Sequence, residues 1–166
     1  MLPLRFFSCG KSRLAGVALA ALTLSLSTNT QAAQPDGLLD SFARSTLVLV
    51  PAAGPCIYLD IYIADTPRQQ AQGLMYIKSM DTYEGMLFVY NTARRISMWM
   101  KNTLIPLDML FIDDKLEIVD IAKNAVPGSS DTIRSSSAVN LVLELNAGSA
   151  EKWGLQPGDT ILTPGS

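Results

Sequence analysis

The sequence predicts a mostly β, α+β domain: a small closed or nearly closed β-barrel-like fold carrying two short helices. Three observations lead there. Short apolar or alternating runs recur along the chain, clusters of turn formers separate them, and only two brief stretches carry helix start and stop signals. With 166 residues, 48% of them hydrophobic and 17% charged, the chain has the length of one domain and too apolar a composition for general disorder.

The elements follow in order. A run at 46–50 is apolar and ends at Pro51, with Gly54 and Pro55 beyond it. Residues 56–64 alternate, with Ile57, Leu59, Ile61 and Ile63 on one face and Tyr58, Asp60 and Tyr62 on the other. That pattern is a strand with one wetter side. Asp65 and Thr66 then offer a cap before Pro67, and Gly73 sits where a helix stops, which predicts a short helix over 67–72. Strands are expected at 86–90, 95–101, 107–112 and 116–122, with Asp113 and Asp114 turning between the last two. Residues 123–138 hold many turn formers and no periodicity, as in a binding loop or lid. A strand resumes at 139–145, a helical turn fits 149–153 before Gly154, and a last strand fits 160–163.

The N-terminus reads as an address. Arg5, Lys11 and Arg13 precede an apolar stretch over 14–26, and a small, polar stretch runs from Ser27 to Ala33. Basic, apolar and small-residue regions in that order make a secretory signal peptide over 1–33, cut after Ala32 or Ala33. Thirteen helical residues reach about 20 Å, short of the roughly 30 Å hydrocarbon core, so no membrane span is expected after cleavage. The mature protein would be exported, periplasmic or secreted, with a polar lead-in at 34–45 and one β-rich domain at 46–166. Of the two cysteines, Cys9 leaves with the signal, so Cys56 is expected to form no internal disulfide.

Composition also excludes mechanisms. No histidine is present, which removes Ser-His-Asp and Cys-His catalysis and His-containing metal sites. Thirteen basic residues against fifteen acidic ones, with no basic block longer than Arg94-Arg95, give no footprint for nucleic acid. Neither a phosphate-cradling glycine pattern nor a base beside Ser135–Ser137 is found. The six methionines after the signal, with Cys56, suggest a soft ion such as Cu(I), but Met98 and Met100 at period two fit a core face better. No metal and no cofactor is expected.

What chemistry remains concentrates at 97–109. Met98 and Met100 share one strand face, and Ser97, Trp99 and Lys101 the other. Asp108 stands on a face with Leu110 and Ile112, and a carboxylate among apolar neighbours must be paired or hydrogen-bonded. Lys101, across a turn containing Asn102 and Thr103, is the expected partner. Glu144 lies opposite Leu141, Leu143 and Leu145, on what the alternation presents as a wet face, and with Asp108 it offers an acid/base pair. The site candidates are therefore Trp99, Lys101, Asn102, Thr103, Asp108 and Glu144.

Several strings are similar to a known family: ADTPRQQAQGLM at 64–75, GMLF at 85–88, MWMKNTLIPLDMLFID at 98–113, LEL at 143–145, AG at 147–148 and GD at 158–159. Together they resemble domain-of-unknown-function family 192, over about 56–163. That family usually carries an arginine where this chain has Gln72. The resemblance implies a compact β-barrel-like α+β domain, often exported in bacteria, and no activity. Two functions are carried forward. One is a binding module for a small molecule, glycan or partner protein, through a cleft near 97–108 edged by Trp99–Thr103 and the 123–138 loop. The other is an extracytoplasmic hydrolase or lyase using Lys101, Asp108 and Glu144. The missing histidine and missing nucleophile machinery favour the first.

Overall fold

The computed structural model describes residues 37–163. The expected signal peptide and the start of the lead-in lie outside the described residues.

The nine strands are β1 (Ala43–Val50), β2 (Ile57–Ala64), β3 (Glu84–Arg94), β4 (Ser97–Met98), β5 (Leu107–Ile112), β6 (Ile118–Ala125), β7 (Ile133–Arg134), β8 (Val139–Asn146) and β9 (Thr160–Leu162). The two helices are α1 (Pro67–Gln72) and α2 (Ser149–Lys152). Seven strands form one sheet in the order β6-β5-β8-β3-β2-β1-β9, and β4 pairs with β7 apart from it. The sheet curls into a half-barrel, and its edges meet where Glu117 bridges Thr160. The backbone N–H of Ile118 donates to the Asp159 carbonyl at 2.8 Å, and that of Ile161 to the Leu116 carbonyl at 2.9 Å. Contact between the two edges blunts their unpaired backbone groups.

Only β2 and β3 run parallel in the large sheet. A parallel pair needs a crossover, and α1 is part of it. Thr66 caps that helix: its Oγ1 accepts the Gln69 N–H at 3.3 Å while Gln69 Oε1 accepts the Thr66 N–H at 3.1 Å, with Pro67 in the first turn. Gly73 ends it at φ +47°, where a Cβ would also meet the Phe88 ring at 3.1 Å. The lead-in contributes more than polar spacing. Phe42 is buried, and the carbonyls of Leu38 and Ser41 accept the Gln72 and Gln69 side-chain amides at 2.6 and 2.7 Å, which moors α1.

Strand alternation sorts the apolar residues into two layers. Leu47, Leu49, Leu59, Ile61, Leu87, Leu110, Leu143 and Ile161 face the half-barrel interior. Met86, Phe88, Met109, Phe111 and Val142 face outward, under a cover that includes Leu74, Ile77, Met98, Met100 and Ile105. Both faces of the central strands are thus dry, and every residue of β5 is buried.

Three expectations are corrected. The strand at 95–101 shrinks to Ser97–Met98, because its backbone partners lie in the small ladder with β7 and in the turn that follows. The 123–138 loop is shorter than expected: β6 runs to Ala125, and β7 takes two residues within the remainder. Cys56 is disulfide-bonded, contrary to the expectation of no internal bridge; the chain's other cysteine, Cys9, lies outside the described residues.

Candidate functional site

Register decides where the two buried carboxylates go. Within β5, Asp108 pairs with Leu145 and Met109 pairs with Glu144. Asp108 therefore shares the inner face with Leu110 and Ile112, while Glu144 shares the outer face with Met109 and, on its other side, Met86. Groups on opposite faces of one sheet cannot form an acid/base pair.

Asp108 is fully buried, and its oxygens are both occupied. Oδ1 accepts the Asn124 N–H at 2.8 Å and Oδ2 the Ala150 N–H at 2.9 Å. The first donor is the product of a bulge: β6 spends three residues against two of β5, with Asn124 at φ +55°. The second donor belongs to the first turn of α2, whose own N-cap residue, Gly148, has no side chain to cap it. The expected ion pair with Lys101 does not form. The one ion pair among the described residues joins Arg44 to Glu84 at 2.9 Å, and Lys101 is exposed.

Glu144 is the opposite case. It is 4% exposed, and no group among the described residues donates a hydrogen bond to its carboxylate. The expected wet face is covered, since α1 and the 97–103 segment lie over that side of β8. Between them remains a cavity of about 90 Å³, lined by Glu144 together with residues of three other segments. The end of α1 and its exit supply Gln70 to Met75, β3 supplies Phe88 and Tyr90, and the 97–103 segment supplies Ser97, Met98, Trp99, Lys101 and Thr103. Burial pushes the Glu144 carboxyl up from its ordinary 4.5 to about 8. Burial also raises the Tyr90 phenol, and the Glu144 charge adds to that.

The 97–103 segment is held in place by its backbone. Asn102 takes φ +59°, its carbonyl accepts the Tyr76 N–H at 2.9 Å, and its amide approaches the Met75 sulfur at 3.8 Å. Thr103 bridges Met75, and the Gly128 N–H donates to the carbonyls of Met100 and Thr103 at 3.1 Å each. Trp99 stands 57% exposed at the edge.

Of the six candidates, then, Trp99, Lys101, Thr103 and Glu144 line one cavity. Asn102 shapes the turn between two of them, and Asp108 sits on the far face of the sheet. The 123–138 loop does not edge the cavity; it props the turn from behind, and the second wall comes from α1. Gln70, Gly73, Met75, Phe88 and Tyr90 escaped the sequence reading as wall residues. The one signal pointing to them was the 64–75 string.

A half-barrel with a covered outer face and this cavity defines a compact β-rich domain of a single type. The chain belongs to the DUF192 family, described as "Uncharacterized ACR", whose model matches residues 49–163. Two solved structures are similar to it. A protein of Sinorhizobium meliloti 1021, described as a candidate transcription regulator, is 44% identical, with 74% of this chain and 95% of that one covered and a TM-score of 0.73. A protein of unknown function from Novosphingobium aromaticivorans DSM 12444 is 31% identical, with 72% and 84% covered and a TM-score of 0.70. The curated proteins hold no match to the chain.

Proposed function

We propose that the protein is an exported binding module that seats a small molecule in the Glu144 cavity. The observation that carries this reading is the carboxylate itself, buried against a cavity with no donor among the described residues. A carboxylate largely withdrawn from water and given no donor by its neighbours costs stability, and such groups concentrate where a ligand supplies what the fold withholds. A space of about 90 Å³ suits a small head group rather than a macromolecular segment, with Trp99 available at the edge for a flat or apolar remainder.

The hydrolase or lyase reading is weaker, because it needs Lys101, Asp108 and Glu144 at one place. Both Asp108 oxygens are engaged by backbone donors on the other sheet face. Export rests on the basic, apolar and small-residue order of residues 1–33.

An amide-resolved NMR screen with neutral, cationic and anionic fragments tests the binding reading. Shifts confined to 70–75, 97–103 and Glu144 are expected. Fragments that shift other surfaces and leave this set untouched would overturn it.

A further inference from the structure

We propose that the cavity is an amine site: its ligand presents a protonated primary amine on a short apolar stem to Glu144. The inference rests on the reading of this cavity as a binding site, and it adds the chemical class of the ligand.

An ionised carboxylate only accepts hydrogen bonds, and an ammonium brings three donors. Glu144 has four per cent of its surface exposed and receives no donor from the described residues, so its oxygens meet only what enters the cavity. No cation among the described residues serves it. Arg44 is committed to Glu84, and Lys101, which lines the same cavity, is exposed and joins no ion pair among the described residues. An anionic head group would meet the carboxylate with like charge, which disfavours it.

A divalent ion fits no better. Hard cations take several oxygen ligands, and no group of three or more acidic or other metal-binding side chains is assembled among the described residues. The lining is mixed: Leu74, Phe88 and Met98 offer an apolar part for a short stem beside the polar Gln70, Gln72, Ser97 and Thr103, and the Tyr90 hydroxyl is turned to the Met98 sulfur at 3.7 Å. The volume, about 90 Å³, admits a head and a few carbons.

Protonation makes the proposal measurable. Burial holds the Glu144 carboxyl at about 8, so an ammonium that binds at neutral pH must release the Glu144 proton. The other titratable groups at the cavity are Tyr90 from β3 and Lys101 from the turn after β4, while Met86 and Met109 flank Glu144 within the sheet. Burial lifts the Tyr90 phenol further above its ordinary range, so it stays neutral over the pH span tested.

The experiment is calorimetry on the full chain with n-butylammonium, n-butanol and butyrate, run in buffers of different ionisation enthalpy. Butylammonium is expected to bind with proton release, its affinity rising about tenfold from pH 6 to pH 7 and levelling off above about 8. Glu144→Gln should lose both the binding and the pH profile. Should Glu144→Gln fail to fold, proton release and the pH profile of the natural protein still decide. Butanol binding as tightly as butylammonium, or butylammonium binding with no proton release, overturns the amine class and leaves the cavity as a binding site. If none of the three probes binds and the fragment screen leaves cavity residues unshifted, the binding reading falls as well.

Discussion

The Asp108 carboxylate accepts the Ala150 backbone N–H at 2.9 Å, 42 residues away along the chain. One side chain of β5 thereby caps α2, while its other oxygen fills the bulge of β6 at Asn124. Asp108→Ala leaves two donors without acceptors, one of them buried, and should cost about 2–5 kcal/mol by urea unfolding. Lys101→Ala should change stability by no more than about 0.5 kcal/mol, and the double variant should be additive. A coupling between the two sites above about 1 kcal/mol would contradict the separation described above.

Gly85 is fixed by its neighbours rather than by its own conformation. A Cβ there would stand 2.7 Å from the Glu144 carbonyl oxygen and 3.0 Å from Leu145 Cδ2. The carbonyl is backbone, held in the first pairs of the β3–β8 ladder with little room to yield, while Leu145 Cδ2 ends a fully buried side chain. Gly85→Ala should therefore destabilise by about 1–3 kcal/mol, the range for an overpacked core, as read from the denaturation midpoint. A midpoint equal to that of the natural protein would show that the two strands separate more easily than their pairing implies.

Local signals were legible in the sequence and distant ones were not. Helix α1 begins at Pro67 and ends at Gln72 as its caps announce, and β5 spans Leu107–Ile112 because a continuous apolar run is buried on both faces. The extension of β3 through Asn91 to Arg94 has no apolar pattern to announce it; Arg94 pairs with Val139, a contact that only the assembled sheet creates. Glu144 shows the limit most clearly. Alternation put it on the face opposite Leu143, which is correct, but whether that face is wet depends on α1 and the 97–103 turn lying over it. Asp108 likewise needed a partner, and its partners were backbone groups that no side-chain inventory reveals.

Export has its own test. The order of residues 1–33 predicts a mature chain beginning near Ala33 or Gln34, visible as an intact mass of protein recovered from its native host. The same measurement without reducing agent shows whether Cys56 still carries a disulfide once residues 1–33, and Cys9 with them, are gone. Retention of Met1 in extracytoplasmic protein would refute the signal peptide.

The final prediction concerns the pH dependence of stability, and its sign follows from Glu144. Burial raises this carboxyl from 4.5 to about 8 in the folded chain, whereas in the unfolded chain it ionises in the ordinary range. Between those values the folded state holds a proton that the unfolded state has released. Stability must then fall as pH rises from about 5 to about 8, by up to about 1.4 kcal/mol per pH unit from this group, and change little from it beyond. Glu144→Gln keeps the shape, removes the charge, and should flatten that decline, so that the variant melts above the natural protein at about pH 8 and matches it near pH 5. Melts of the two proteins across this range measure the difference directly. Parallel curves would mean that Glu144 ionises as freely in the fold as out of it, and that the cavity floor is better hydrated than its 4% exposure suggests.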